Sequence, residues 1–215
     1  MKQRSGLFVV FEGIDGCGKG VQARMLLEYI QGVSKYQDIL ITHEPWRSTE
    51  IKRRLEEDRN AFVDGERMAQ LFVDDRIRHT TELVQPMLER GVIIVCDRYA
   101  MSTCAYQYTQ GVNLDSLLTM HRKKDIILPD ITYVLEVSRK IAETRRRIRG
   151  DPQEKYEREA TFIERLMQNY KLLGEMVKKD QTIFGKVIVV NGNGNPEEVA
   201  QQIVLRLMLF TKDGE

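Results

Sequence analysis

A glycine loop that ends in a lysine is the first group of residues that could do chemistry. Gly13 is followed by four residues and then by Gly18 and Lys19, which is the spacing of a loop that binds nucleotide phosphates. Glycines let backbone N–H groups point at phosphate oxygens, and the lysine adds a mobile positive charge. The segment therefore predicts a site for a nucleotide polyphosphate.

Gly20 departs from this pattern, because the residue after the lysine is usually Ser or Thr, whose hydroxyl contacts Mg²⁺. Two interpretations are open. Either the metal is held by water and by acidic residues elsewhere, or the loop binds phosphate without supporting its transfer. Magnesium keeps several waters and often uses only one or two carboxylates besides the substrate's phosphates, so we favour the first interpretation.

A carboxylate and an arginine follow a predicted buried strand. Asp97 ends the run VIIVCD, and Arg98 comes directly after it. In a parallel α/β sheet this places the Asp97 carboxylate beside the glycine loop, where it would hold magnesium through water. Arg98 would reach both a donor and an acceptor phosphate. The plainer alternative is a capping pair at the end of a strand.

Basic residues are concentrated in residues 144–159, TRRRIRGDPQEKYERE. Arg147, Arg149 and Lys155 would close over a polyphosphate as a lid that adds positive charge and excludes water. A run of charge is more often a solvated helix face. Its occurrence in a chain with a phosphate-binding loop favours the lid.

The elements that must position these groups are visible in the pattern of apolar residues. Short apolar runs rich in β-branched residues predict buried strands at 7–11, 38–42, 92–97, 131–137 and 186–190. Helical spacing predicts helices at 21–30, 50–57, 65–90, 102–124, 141–149, 160–179 and 196–209. This alternation predicts one α/β domain over residues 1–215, with a mostly parallel sheet, helices on both faces and ligands at the carboxyl ends of the strands.

Composition narrows the classes of partner. No apolar run approaches the roughly 18 residues that span a bilayer. A net charge of +1 gives no general attraction to nucleic acid polymers or anionic lipid. Three cysteines without metal-ligand spacing suit a reducing compartment. We expect a cytoplasmic protein that acts on small molecules.

Five segments, taken in order, resemble the thymidylate kinases, which transfer the terminal phosphate of ATP to dTMP. They are FEGIDGCGKGVQ, HEPWRSTEI, LFVDDRIRH, DRYAMSTCAYQ and the basic segment with EKYE. The likeness extends over residues 8 to about 199. It implies a P-loop NTPase fold with a five-stranded parallel sheet, a homodimer, and Mg²⁺ with ATP as the phosphate donor.

The resemblance also implies which residues bind the donor. Lys19 and Arg98 would act at the transferred phosphate. The donor's phosphates would lie on the loop residues Gly13, Ile14, Asp15, Gly16, Cys17, Gly18, Lys19 and Gly20.

Further residues would bind the acceptor. Asp15 resembles the acid that contacts the sugar 3′-hydroxyl, and Arg47 resembles the arginine that binds the acceptor phosphate together with Arg98. Phe72 would stack on the thymine ring, Arg76 would donate to its carbonyl edge, and Tyr106 would crowd the 2′ position. An aromatic face and a donor suit a flat base with carbonyl acceptors. From the helical pattern alone, Phe72 would be a core residue.

The loop and the lid also indicate a type within the family. Gly16 and the arginine-rich segment resemble members that carry the charge-stabilising arginine in the lid, a role for which Arg147 and Arg149 are equal candidates. The pair Gly20-Val21 replaces a usual pair of hydroxyl residues, and His43 replaces a common arginine. The first departure bears on metal binding and turnover, the second on acceptor binding.

Two alternatives to a dTMP kinase remain open at this point. Trp46 and His43 alter the rim of the acceptor pocket, which would suit a kinase of broader deoxynucleoside monophosphate specificity. Gly20 would suit a nucleotide-binding regulator that no longer transfers phosphate. Lys19 and Arg98 oppose the regulator, because binding alone does not require charge focused on a transfer point.

Overall fold

The sheet of the computed structural model, which describes residues 5–57, 64–122, 126–150, 160–176 and 183–212, is wholly parallel. It has five strands in the order β2-β3-β1-β4-β5. The strands are β1 (Phe8–Glu12), β2 (Ile39–His43), β3 (Ile93–Asp97), β4 (Ile131–Glu136) and β5 (Lys186–Asn191). The predicted α/β fold with a parallel sheet is confirmed.

Helices connect successive strands. They are α1 (Lys19–Val33), α2 (Thr49–Glu57), α3 (Gly65–His79), α4 (Gln85–Glu89), α5 (Ala100–Thr109), α6 (Leu114–His121), α7 (Arg139–Arg149), α8 (Ala160–Met176) and α9 (Pro196–Lys212). One π-helical turn, Thr80–Val84, joins α3 to α4. The single helix predicted for 102–124 is wrong: Gly111 has φ +94°, and Asn113 starts a new helix by accepting from the N–H of Ser116.

Both faces of the central strand β1 are covered, as its uninterrupted apolar sequence requires. Phe8 packs edge-on against Tyr99 at 5.2 Å between ring centroids, just before α5. Phe11, which points to the opposite face, stacks on Tyr133 of β4 at 5.4 Å. The Tyr133 hydroxyl donates to the carbonyl of Ile203 in α9. Helices α5 and α9 therefore lie on opposite faces of the sheet.

The register of the sheet brings the chemically active residues to one edge. Phe11 of β1 pairs with Asp97 at the end of β3, and His43 at the end of β2 pairs with the same residue. Glu12 ends β1 directly before the glycine loop. Because all strands are parallel, these carboxyl ends meet at the edge where open α/β sheets bind ligands. Among the described residues, no helix is both long and apolar enough to cross a bilayer.

Candidate active site

The glycine loop joins β1 to α1 and has the backbone that its sequence predicts. Gly13, Gly16 and Gly18 all have positive φ, at 135°, 81° and 107°. A Cβ atom at Gly16 would stand 2.4 Å from the carbonyl oxygen of Ala142 in α7, so the loop and α7 are in close backbone contact. Side chains are excluded here for two independent reasons, backbone conformation and space.

Gly16→Ala and Gly20→Ala should therefore have opposite effects. Gly16→Ala is expected to destabilise the loop by about 1–2 kcal/mol from the left-handed backbone alone, before the clash is counted. Gly20→Ala adds a Cβ at an ordinary 3.6 Å from Asp97 Oδ2 within α1, and is expected to raise the free energy of unfolding by about 1 kcal/mol. Urea denaturation of both variants tests this, and equal effects would contradict it.

Lys19 is held inside the loop. Its Nζ donates to the carbonyls of Gly13 and Ile14, each at 3.1 Å, and lies 4.0 Å from Asp15 Oδ1. Burial and the nearby Arg98 act to lower the pKa of Lys19, but the net shift is upward, with the carboxylates of Asp97 and Asp15 among the groups that raise it, so the ammonium stays charged. This places a fixed positive charge where phosphate oxygens would sit.

The Cys17 thiol lies next to the Lys19 ammonium but does not form an ion pair with it. Cys17 is buried, and its Sγ lies 3.8 Å from Lys19 Nζ. Burial raises the pKa of the Cys17 thiol, despite the opposing effect of Lys19. The thiol is therefore neutral near pH 7 and adds no negative charge to the loop.

Arg98 lies between the loop and a pocket on its other side. Its backbone has φ +69°, uncommon for a residue with a side chain, and its N–H donates to the Phe11 carbonyl at 2.9 Å. The guanidinium pairs with Asp15 and donates to the carbonyl of Gly13 at 3.4 Å and to Ser102 Oγ at 3.3 Å. One cation is thus shared by the loop and by the first turn of α5.

Glu12 is a functional-site residue that sequence analysis missed. Its carboxylate accepts from the backbone N–H groups of Tyr99 and Ser102, at 2.8 and 3.0 Å, and from the Ser102 hydroxyl. Burial raises the Glu12 pKa, and these hydrogen bonds oppose the shift. The carboxylate caps α5 and so fixes the strained turn that aims Arg98. An acid ending an apolar strand beside the loop was the available signal.

A pocket opens beside Arg98 and contains most of the residues predicted to bind the acceptor. Phe72, Arg76, Arg98 and Tyr106 come together in it, and the Arg98 guanidinium lies 5.3 Å from the Tyr106 ring. Its lining residues are Glu44, Pro45, Leu55, Phe72, Arg76, Arg98, Tyr99, Ser102, Thr103, Tyr106 and Gln107. Phe72 is thus a half-buried pocket wall and not the core residue that helical spacing alone would give.

Arg47 is not brought into this pocket. Its side chain is 68% exposed, lies 3.7 Å from Glu82 and stacks on the Trp46 ring at 4.1 Å. Its backbone N–H donates to Asp75, which fixes the turn but leaves the guanidinium at the surface. Its role as an acceptor-phosphate ligand stays a prediction.

Arg76 is buried at the pocket floor in a hydrogen-bonded cluster. Its Nε and Nη2 donate to Glu44 Oε2 at 2.8 and 2.6 Å, and Nη2 also donates to Thr103 Oγ1 at 3.0 Å. Nη1 lies 2.6 Å from Nε2 of His121. Glu44 also lies 3.1 Å from Nδ1 of His79. The cluster holds the guanidinium rigidly against the pocket.

Gln107 is a second residue that sequence analysis missed. It is 1% exposed and lines the pocket, and among the described residues neither its amide oxygen nor its amide nitrogen has a hydrogen-bond partner. A buried amide without partners costs about 1–3 kcal/mol unless a ligand satisfies it. Spacing gives no signal for such a residue, because its role depends on what the fold leaves unpaired.

Asp97 provides a feature that fits a bound cation. Its Oδ1 is buried and, in the described part of the chain, has no hydrogen-bond partner. A Cβ atom at Gly20 would point toward its other oxygen at 3.6 Å, so a serine hydroxyl there would stand beside this carboxylate. No group of three or more acidic, His or Cys ligands occurs among the described residues. The site therefore suits a cation that keeps several waters, as Mg²⁺ does.

The basic segment lies over the loop in the part that the structure describes. Arg145, not singled out by sequence analysis, donates to the carbonyls of Cys17 and Gly194 at 3.2 and 2.8 Å. Arg149 lines a second pocket beside the loop, together with Arg145 and Gly18, and Arg147 is not among the residues that line it. Both Arg147 and Arg149 are exposed. The rest of the predicted lid, residues 151–159 with Lys155, lies outside the described residues.

Comparisons with known proteins identify similar sequences and a similar fold. The family model described as thymidylate kinase matches residues 11–203. A probable thymidylate kinase of Pyrococcus abyssi is 34% identical over 206 residues, covering 93% of this chain and 94% of that protein. The thymidylate kinase of Desulfotalea psychrophila is 29% identical over 99% of both chains. The crystal structure of thymidylate kinase from Ehrlichia chaffeensis has the same fold, with a TM-score of 0.72 at 22% identity over 94% of this chain and 98% of that one.

Proposed function

The chain belongs to the thymidylate kinase family, and from this membership we propose how its residues transfer the γ-phosphate of ATP to dTMP. The observation that carries the proposal is the position of Arg98. Its guanidinium contacts the loop at Gly13 and Asp15 and also lines the pocket that contains Phe72. A phosphoryl group passing from the loop to the pocket would therefore remain next to one cation throughout.

The transfer is direct and in line. A phosphate oxygen of dTMP attacks the γ-phosphorus of ATP, the bond from that phosphorus to the bridging oxygen breaks, and ADP leaves with the electron pair. The attacking group is already an anion near neutral pH, so no general base is needed. Lys19 and Arg98 neutralise charge on the transferred group, and Arg149 or Arg147 would add a further cation from the lid.

Asp97 would hold Mg²⁺ through water, with the substrate phosphates completing the shell. When bound, the ion supplies neutralisation of the donor phosphates. The loop glycines orient the phosphates through their N–H groups, and Lys19 positions them from inside. With glycine at position 20, the loop lacks the hydroxyl that would otherwise contact Mg²⁺. The Asp97 carboxylate, which lies next to Gly20, remains accessible to the ion.

In the acceptor pocket, Phe72 would stack on the base, Arg76 would donate to a carbonyl oxygen, and Tyr106 would stand at the 2′ position. Asp15 would accept a hydrogen bond from the 3′-hydroxyl after releasing Arg98, with which it pairs in the structure.

The assembly is proposed to be a cytoplasmic homodimer. Sedimentation equilibrium should then give twice the 25.0-kDa mass of one chain, and that mass alone would contradict the dimer.

Gln107→Leu provides a sharp test of the pocket. We expect the KM for dTMP to rise about tenfold, because the base loses a buried hydrogen-bonding partner, while the KM for ATP stays unchanged. The thermal midpoint of the free protein should stay the same or rise, since the variant removes an unpaired buried amide. A fall in stability with unchanged KM would mean that Gln107 is structural.

The overall function is tested by a coupled assay of ADP release with Mg·ATP and dTMP, run beside dUMP, dCMP, dGMP and dAMP and repeated with Gly20→Ser. Turnover on dTMP alone is the expected result. Comparable turnover on several acceptors would favour the broader kinase. Tight ATP binding with no turnover would favour the regulator, and rescue by Gly20→Ser would then identify the missing hydroxyl as the cause.

A further inference from the structure

Almost all the hydrogen-bonding capacity of Arg76 is used by the protein itself. A guanidinium has five N–H groups. The Nε–H and both Nη2–H groups are accepted by Glu44 and Thr103, and one Nη1–H faces Nε2 of His121 at 2.6 Å. Within the described ranges, one N–H on Nη1 is left for a ligand in the pocket that Arg76 lines.

The two closest polar contacts described for His121 indicate its protonation state and tautomer. Nδ1 lies 2.6 Å from the carbonyl oxygen of Leu117, which can only accept, so Nδ1 carries the hydrogen. Nε2 faces a guanidinium N–H, which can only donate, so Nε2 presents its lone pair. His121 is therefore a neutral acceptor, oriented from its own helix α6 and 1% exposed.

We propose that His121 is a positioning residue that makes Arg76 specific for a base with a carbonyl oxygen at this edge. By accepting one Nη1–H, it fixes the direction of the other. A single outward N–H bonds a carbonyl oxygen, as in thymine, and repels the exocyclic amino group of cytosine. This inference rests on the proposed function, since it concerns the acceptor of the same reaction.

Two variants separate this role from simple packing. The amide oxygen of a glutamine at position 121 would reach about where Nε2 lies, whereas an asparagine, shorter by one methylene, reaches only the Nδ1 position. Both are polar and neutral. His121→Asn is expected to raise the KM for dTMP about tenfold and to lower the ratio of kcat/KM for dTMP over dCMP to the same extent. The kcat and the KM for ATP should change less than about twofold.

His121→Gln should keep the KM for dTMP, and the ratio of kcat/KM for dTMP over dCMP, within about threefold of the wild-type values. Thermal midpoints of the two variants are compared first, to confirm that both are folded. The proposal would be overturned if the Asn and Gln variants lost the preference for dTMP over dCMP equally. It would also be overturned if the Asn variant kept the wild-type ratio of kcat/KM for dTMP over dCMP.

Calorimetric titration of dTMP and dCMP separates failure of this inference from failure of the proposed function. If the unchanged protein lacks turnover but binds dTMP, the same comparison of Asn and Gln variants is made with the dissociation constants. If it binds neither nucleotide, both the proposed function and the role of His121 are refuted.

Discussion

Lys19→Met is expected to lower kcat by about 10²–10³-fold while leaving the fold intact. Removal of one preorganised donor at a site of developing charge has this magnitude in other enzymes. Lys19 is 6% exposed, and the two carbonyls that hold its Nζ, those of Gly13 and Ile14, belong to the loop itself. Methionine has a similar length and shape, so the loss would report the charge and not the volume.

The measurement is kcat with saturating ATP and dTMP, together with circular dichroism to check the fold. Lys52→Met is the matched control, because Lys52 is 73% exposed on α2 and pairs only loosely with Glu56 at 4.0 Å. It should retain full activity. If Lys19→Met kept more than about a tenth of the activity, the transferred phosphate would have to be neutralised by other groups.

The parts of the site that could be predicted from sequence are those that local chain geometry determines. The spacing from Gly13 to Lys19 requires a strand, a turn and a helix N-terminus, and all three are present. The location of Asp97 and Arg98 at the site could be predicted because they directly follow an apolar strand, and ligands bind at the carboxyl ends of parallel strands. The apolar pattern of the strands and the position of these residues at strand ends were sufficient to predict the site, without knowledge of any particular contact between distant side chains.

The parts that could not be predicted depend on contacts between distant residues. His121 is 45 positions from Arg76, and nothing in the α6 sequence indicates that its ring faces a guanidinium. Gln107 matters because the fold leaves its amide unpaired, a property that no spacing encodes. Arg47 lies at the surface 3.7 Å from Glu82, a distant contact that its sequence neighbourhood does not indicate, and its role at the acceptor phosphate stays a prediction.

Glu44→Gln is expected to lower the free energy of unfolding by about 3–5 kcal/mol, the usual cost of removing one partner of a buried ion pair. Glu44 accepts from Arg76 through one oxygen and faces His79 through the other. A glutamine is uncharged, so the buried Arg76 guanidinium would lose the carboxylate that offsets its charge. With both side chains of the pair 4% exposed or less, water cannot replace the lost contact.

The double variant Glu44→Gln/Arg76→Met distinguishes stability from binding. Removing both charges eliminates the uncompensated guanidinium, so urea denaturation should show most of the lost stability restored. The double variant should nevertheless bind dTMP weakly, because the methionine at position 76 cannot donate a hydrogen bond to the base. If the double variant were as unstable as Glu44→Gln alone, packing and not charge would account for the cost. If it bound dTMP normally, Arg76 would not be the group that recognises the base.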